Sequence, residues 1–261
     1  MPIDYPAQTL SPDQMLNRIR GKFGFSAKSL QKQNIQTDRI VTQHPGLRAI
    51  SDLTFLQEID HPEKDLIKRA GFISPKVLFV SEKIKSLCHL RYRHSGGRID
   101  PCGGIKKNYL ACSPYSPHES EIRKLFSSAD LFCFFQADGL TDMKQQKYLH
   151  EILFKIEEYL SQNKVLKVMS FGAGPCRICD RCAGEVKVEC SKPIQKRFSL
   201  ESCGIDVDWA MKMMVLKTKD NFWAINWLKD FGIQDQDITM FKSIIGTLLS
   251  TKKEVEANGW F

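Results

Sequence analysis

Four cysteines with short gaps between them carry the clearest chemical signal in the chain. Their spacing is C-x2-C-x2-C-x7-C, and they are Cys176, Cys179, Cys182 and Cys190. Three thiols at this spacing do not share one face of a regular helix or strand, but they converge on one inorganic centre when the backbone wraps around it. Bacterial ferredoxins space their first three cysteines in the same way and place a fourth beside a proline, after a shorter gap. The run therefore predicts a metal site with these four thiols as ligands.

The metal and the arrangement of its ligands stay open at this point. Zinc sites usually pair two separated CxxC hooks, so we favour a [4Fe–4S] cluster over zinc. If all four cysteines of the run bind one cluster, we expect that cluster to carry electrons or to stabilise the loop structurally. Alternatively, Cys190 joins Cys102, Cys112 and Cys203 in a second site. In a third arrangement one iron has no cysteine ligand and acts as a Lewis acid toward a substrate.

The residues before the run predict a close approach of the backbone to the metal centre. A short apolar run over 165–171 is followed by Gly172, Gly174 and Pro175. Glycines adopt positive φ and let the backbone approach a bulky group, and their amides can donate hydrogen bonds to cluster sulfides. Gly172 and Gly174 are therefore candidate cofactor-binding residues, although a plain turn from strand to loop explains them as well.

A second cysteine region, rich in glycine and proline, precedes the first. Cys102 and Cys112 bracket two lysines, Lys106 and Lys107. Because loops carry function more often than packing, both cysteines are candidate metal ligands. The two lysines can bind an anion, but solvated surface lysines explain them equally. His94, between the two cysteine regions and near the first of these cysteines, is a candidate ligand or proton donor.

The other cysteines and histidines have structural interpretations or no assigned role. Cys133 stands within an apolar run and is expected to act as a small core hydrophobe. His118 stands at a helix start and His150 on a long helix, and both are expected at the surface. The roles of Cys88 and Cys203 stay open.

Composition narrows the class of protein. With 261 residues, 42% of them hydrophobic, the chain can form a proper core. Nine cysteines without a secretory signal argue against a disulfide framework and for thiols that bind metal in a reducing compartment. No apolar run reaches membrane-spanning length, so we expect a cytoplasmic protein without membrane contact. The net charge of +8 fits a nucleic acid, an acidic partner or an anionic substrate, and equally a solvated basic surface.

The elements that must position the cysteines are those of an α/β fold. We predict a single domain with a small mixed or parallel sheet, flanking helices and cysteine-bearing loops. Apolar runs over 131–135 and 165–171 predict strands, and the 3.6-residue periodicity from about 141 to 162 predicts a long amphipathic helix between them. Such a strand–helix–strand unit usually forms a right-handed parallel crossover.

Three regions of this single domain, residues 1–261, differ in character. Residues 1–75 are expected to be a helical or irregular extension, 76–207 the cysteine-rich core and 208–261 C-terminal helices. The other predicted elements are a helix starting at Ser11, irregular structure over 25–50, a helix from His61 to Gly71, a strand over 76–80, a helix over 117–126, and a last helix from about 235 to 249.

The sequence around the run resembles a family of uncharacterised prokaryotic proteins described as predicted metal-binding proteins. The resemblance covers about residues 88–208. It is carried by Gly174 and Pro175 ahead of the triple cysteine, by Cys190 with Pro193, and by the tail over 199–207. The family also tends to have an upstream cysteine loop ending in Cys-Pro-Pro, where this chain has serine in place of the first proline. The resemblance implies a metal, with iron–sulfur favoured, and no settled reaction.

These observations favour an iron–sulfur protein with redox or substrate-activating chemistry, which would make it an oxidoreductase or a lyase-type enzyme. Its partners would be an electron donor or a small-molecule substrate. One alternative is a zinc-stabilised module that binds nucleic acid or an acidic partner. Basic residues near the cysteines support it, and they are Arg177, Arg181, Lys187, Lys192, Lys196 and Arg197. Another alternative is an accessory protein that assembles a metal centre or transfers electrons.

Overall fold

The computed structural model describes residues 27–89, 92–93, 99–100, 103–140, 143–207, 209–210, 213 and 241–251. Its helices are α1 (Ala27–Gln43), α2 (Pro45–Ser51), α3 (Glu82–Ser86), α4 (Gly103–Lys106), α5 (Glu119–Ser127) and α6 (Met143–Gln162). Its strands are β1 (Ile67–Ile73), β2 (Tyr92–Arg93), β3 (Ile99–Asp100), β4 (Leu131–Leu140), β5 (Leu166–Gly172), β6 (Phe198–Ser199) and β7 (Phe241–Ser250). The predicted helix at Ser11, His94 and Cys102 lie outside the described residues.

A five-stranded mixed sheet organises the described chain, which confirms the predicted α/β class. Its strand order is β1-β4-β7-β5-β6, and only the β5–β6 pair is parallel. β4 and β5 are not adjacent, because β7 lies between them and runs antiparallel to both. β4, β5 and β6 therefore run in the same direction, and their carboxyl ends share one edge of the sheet.

The central strand β7 replaces the end of the predicted last helix. Ile245, Leu248 and Leu249 are fully buried, as predicted, but on two faces of a strand. Ile245 and Leu249 pack into one core, and Leu248 packs into the other. A strand that is covered on both faces has a nearly continuous apolar sequence. That sequence also satisfies the helical period, so its pattern alone cannot separate the two structures.

The N-terminal part differs most from prediction. The segment expected to be irregular forms α1 and α2, which bury Val41, Leu47 and Ile50. β1 takes residues 67–71 of the segment predicted as a helix from His61 to Gly71, because pairing with β4 satisfies its backbone at the sheet edge. Residues 76–80 are almost wholly buried, yet only a 3₁₀ turn at Pro75–Val77 and one bridge of Val80 to Ile205 form there.

Helices cover both faces of the sheet. On one face α1, α2 and α6 pack against Cys133 and Phe135. Cys133 is fully buried there, which confirms its prediction as a core residue. On the other face α5 and residues 198–207 pack against Phe132 and Phe171. The predicted α5, β4, α6 and β5 are confirmed as to type. No helix among the described residues is long and apolar enough to cross a bilayer.

Candidate metal centre

The cysteine run (residues 176–190) is a loop at the edge where β4, β5 and β6 end. It leaves β5 after Gly172 and returns to β6, whose Ser199 pairs with Gly172. Two short 3₁₀ turns interrupt the return path, at Ala183–Val186 and Pro193–Gln195. Because both ends of the loop are held in the sheet, its thiols are confined to a small region beside the sheet edge.

Two of the other thiols of the run lie near Cys176. All four thiols of the run are half-buried. Burial raises the pKa of the Cys176 thiol above its ordinary value, and the nearby charges of Cys179 and Cys190 raise it further. Backbone hydrogen bonds from Ile178 and Arg197 act in the opposite direction. Cys176 therefore lies near Cys179 and Cys190 and accepts amide hydrogen bonds at its sulfur. Cluster thiolates are tuned by hydrogen bonds of this kind.

The described thiols are not in the geometry of a formed metal site. Across the described ranges, no group of three or more His, Cys, Asp or Glu side chains is arranged to hold a metal ion. The donor chemistry nevertheless fits a thiophilic metal, since three thiols and two backbone amides converge at Cys176.

Helix α6 meets the start of the run through His150. This side chain is fully buried, so its prediction as a surface residue is wrong. Its Nδ1 lies 2.9 Å from the Gln146 carbonyl oxygen, which only accepts, so Nδ1 carries the proton. Its Nε2 faces Gly172, and no described residue hydrogen-bonds to it. Burial lowers the pKa of His150, and the charges of Arg177 and Arg197 lower it further.

The two predicted glycines have separate structural requirements. A Cβ at Gly172 would lie 2.4 Å from His150 Nε2, so only glycine fits beneath the imidazole. Gly174 has a φ of 62°, which disfavours other residues. Their predicted contact with a cofactor stays a prediction, since packing and backbone conformation account for both glycines.

A second contact with α6 holds the end of the run. The Arg197 guanidinium donates to both carboxylate oxygens of Glu157 at 2.8 and 2.6 Å, and Lys167 Nζ adds a third bond at 2.8 Å. Arg197 also lies over the Phe154 ring, 4.8 Å from its centroid. Burial acts to raise the pKa of Glu157, but Arg197 and Lys167 hold it below its ordinary value. Helix α6 thus contacts the chain on both sides of the run, at Gly172 before it and at Arg197 after it.

The upstream loop (residues 103–117) packs against the other side of the run. Asn108 Nδ2 donates to the Gly184 carbonyl at 3.0 Å. Arg177 Nη1 donates to the Tyr109 hydroxyl at 2.9 Å. Lys107 Nζ lies 4.0 Å from Glu185, so this lysine has an internal partner. The sequence pattern identified the upstream loop and the run as cysteine regions, and these hydrogen bonds show that the two are in contact.

A surface groove of about 760 Å³ lies between the upstream loop and the run. We call it the cysteine groove. Its walls include Asn108, Leu110, Tyr115, Val188, Cys190 and Lys196. Val188 and Tyr115 expose large apolar side chains there. Cys190 therefore stands where the cysteine run meets the cysteine groove.

The described thiols outside the run differ in their surroundings, and Cys112 lies beside Pro175, the residue before Cys176. Cys112 is buried against Gly104, where a Cβ would come within 2.4 Å of the Cys112 sulfur and 3.0 Å of Pro175 Cβ. Cys203 is also buried; burial raises its pKa strongly, and the charge of Cys88 raises it further. Cys88 and Cys203 are therefore neighbours, a pairing that the sequence did not indicate.

A family model described as "Predicted metal-binding protein (DUF2284)" matches residues 94–224. The match confirms the resemblance drawn from the triple cysteine and the residue 199–207 tail. The matched residues contain eight of the nine cysteines and both walls of the cysteine groove. No curated protein and no solved structure matches the chain.

Proposed function

Because this chain belongs to the predicted metal-binding protein family, we propose that its cysteine run binds a [4Fe–4S] cluster that serves redox or substrate-activating chemistry. The observation that carries the proposal is the environment of Cys176. Its sulfur receives two backbone hydrogen bonds and lies beside Cys179 and Cys190. Cys190 also lines the cysteine groove, so a centre that it helps to bind would lie beside an open space.

The ligand roles follow from position in the loop. Cys176, Cys179 and Cys182 form the triple hook, and Cys190 is the fourth ligand. When bound, the cluster supplies electrons, or a Lewis-acidic iron if Cys190 stays unligated. The chain stabilises the thiolate charge at Cys176 through the Ile178 and Arg197 amides.

The cysteine groove is the proposed binding place for the substrate or the electron donor. Tyr115 and Val188 provide apolar contact area, and Lys196 provides a positive charge. Cys190 brings the cluster within reach of a molecule bound there. A groove beside the proposed cluster supports an enzyme or an electron-transfer protein over a purely structural metal site.

The nucleic-acid alternative loses support from the basic residues that suggested it. Arg197 is buried against Glu157, and Arg177 is bound to Tyr109. Lys196 lies over the Phe198 ring, 4.8 Å from its centroid. Arg181, Lys187 and Lys192 remain exposed, so the positive surface beside the run is smaller than the sequence suggested but is not removed.

Electron paramagnetic resonance of the anaerobically reconstituted, dithionite-reduced protein tests the proposal. We expect a cluster signal in the wild type and in Cys133→Ala, which removes a buried thiol of the core. Cys179→Ala should lose the signal from this site. Cys190→Ala should change its shape or abolish it if Cys190 is a ligand. An unchanged spectrum and unchanged iron content in Cys179→Ala would refute the assignment.

A further inference from the structure

Exposed apolar side chains flank Cys190 on both sides along the chain. Val186 and Val188 precede it and Ile194 follows it, with 50%, 56% and 70% of their surfaces exposed. We call these three side chains the apolar patch. Exposed apolar side chains that cluster, as these do, mark a surface at which another molecule binds.

Hydrogen bonds hold the backbone beneath the apolar patch. The Val188 amide donates to the Ala183 carbonyl at 3.2 Å, which closes a turn there. The Ile194 carbonyl accepts from Arg197 Nη1 at 2.7 Å, and the Arg197 guanidinium is itself bound to Glu157 of α6. Because the patch lies on an ordered backbone, a partner that binds to it pays little for ordering the loop.

Basic side chains surround the apolar patch. Lys187 and Lys192 are exposed beside its members in the chain. The Arg181 side chain is 70% exposed. A patch with an apolar centre and a charged rim has the arrangement of a protein–protein contact surface.

The acidic side chains of the same region offset only part of this charge. In segment 180–196 they are Asp180, Glu185 and Glu189. Asp180 lies 3.6 Å from Lys147. Glu185 lies 3.5 Å from Arg181 and 4.0 Å from Lys107. Since two of the three acids already have basic partners, the rim of the patch keeps an excess of positive charge.

This combination of apolar centre and basic rim fits a protein with an acidic surface. Single-stranded nucleic acids stack on exposed aromatic rings, whereas the apolar patch is aliphatic. A second copy of this chain is disfavoured because each copy carries a net charge of +8. Opposite charge on the partner speeds its association and fixes its orientation.

We propose that the apolar patch and its basic rim are the docking surface for a small electron-carrier protein with an acidic surface. That the partner carries electrons rests on the proposed function, since Cys190 lies between the two halves of the patch. The reduced carrier gives up one electron at this surface, and no atom passes between the two proteins. Contacts of redox partners are small and transient, which suits a patch of three side chains.

Isothermal titration calorimetry with an acidic plant-type ferredoxin as the probe tests the docking surface, with the metal-free and the reconstituted protein. We expect binding at low salt that weakens as salt is added. Ile194→Ser should weaken it at least about fivefold, as the loss of a central apolar contact does. Lys192→Glu should weaken it by about the same factor and reduce its dependence on salt. Neither side chain lines the cysteine groove, so both variants leave the groove unchanged.

Two matched controls make the same changes away from the apolar patch. Ile35→Ser alters a side chain of α1 that is 63% exposed, and Lys124→Glu alters an exposed lysine of α5. Both should bind the ferredoxin as tightly as the wild type does. Equal weakening in Lys192→Glu and Lys124→Glu would assign binding to overall charge and overturn the proposal. Absence of binding at low salt would also overturn it.

The same titrations separate the docking surface from the proposed function. Binding by the metal-free protein that weakens in Ile194→Ser supports the docking surface even if no cluster forms. A reconstituted cluster in a protein that does not bind the ferredoxin overturns the docking surface alone. Tighter binding of a single-stranded oligonucleotide than of the ferredoxin, or a dimer in sedimentation that Ile194→Ser disrupts, would assign the patch to another occupant and overturn the proposal.

Discussion

His150 Nε2 lies directly against Gly172, where a Cβ would come within 2.4 Å of it. The imidazole belongs to α6 and the glycine is the last residue of β5. This contact fixes the helix against the strand at the point where the cysteine run begins. It therefore links the packing of the core to the position of the proposed metal site.

Gly172→Ala should destabilise the metal-free protein by about 1–3 kcal/mol, as overpacking of a core does. The added methyl displaces the imidazole and strains its hydrogen bond to Gln146. Denaturant unfolding measures the loss. Combining it with His150→Ala, which vacates the space, should cost less than the sum of the single changes. If the free-energy losses of the two single variants add exactly in the double variant, the side chains at positions 172 and 150 are not in steric conflict.

The stability of the metal-free protein should depend on pH through His150. Burial and the charges of Arg177 and Arg197 lower its pKa, while Glu151 and the Gln146 bond raise it. The unfolded chain therefore binds more protons than the folded one near and below the ordinary histidine pKa of about 6.5. Stability should fall as the pH drops from about 7 to 5.

His150→Gln removes this titration, so its unfolding midpoint should decline less over the same interval. Thermal unfolding at several pH values makes the comparison. Equal pH slopes for wild type and variant would contradict the assignment of the effect to His150.

Glu157→Gln should cost about 3–5 kcal/mol, because it leaves the buried Arg197 guanidinium without its carboxylate. Glu158→Gln is the matched control, since Glu158 pairs with Lys155 on the exposed side of the same helix. It should cost less than about 1 kcal/mol. Similar losses in the two variants would show that the buried pair contributes little.

The stabilisation of the folded state by the Glu157 carboxylate should disappear at acid pH. Its pKa lies below the ordinary value in the folded state. The stabilisation is therefore complete at neutral pH and is lost as the pH falls below about 4.3 toward the folded-state pKa. Unfolding experiments should show the difference between wild type and Glu157→Gln shrinking in that range. A constant difference would contradict the depressed pKa.

Arg177→Ala should loosen the contact between the run and the upstream loop. Its guanidinium holds the Tyr109 hydroxyl and lies next to Cys176. We expect a reconstituted cluster to lose iron to a chelator about tenfold faster, as when an outer-shell partner is removed. Arg181→Ala, which changes a side chain that is 70% exposed, should leave the rate unchanged. Equal rates of iron loss in both variants would show that the contact of Arg177 with Tyr109 does not stabilise the cluster.

Local periodicity predicted the elements whose two faces differ. α6 alternates between buried and exposed residues with the helical period, and β4 and β5 carry short apolar runs. Strand β7 was predicted as part of a helix. Because both faces of the sheet are covered, its sequence is apolar nearly throughout, and such a sequence also fits the helical period. Helix α1 was not predicted because its sequence is mostly polar. It buries only a narrow stripe of side chains, which includes Val41.

The site was predictable where its residues are close in sequence. The spacing from Cys176 to Cys190 identified the run, but nothing local marked His150 as buried, because its burial depends on the absent side chain of Gly172. The approach of Cys88 to Cys203 depends on hydrogen bonds between distant segments, through His89 and Ser202. Such contacts leave no pattern in a single sequence.

The most direct test is the iron, sulfide and zinc content per chain of the anaerobically purified wild type and Cys179→Ala. We predict iron and sulfide in equal amounts, about four of each for every cluster bound. Cys179→Ala should lack about four of each relative to the wild type. A colourless protein with zinc and no sulfide, or a Cys179→Ala variant with the wild-type iron content, would contradict the iron–sulfur cluster in the cysteine run.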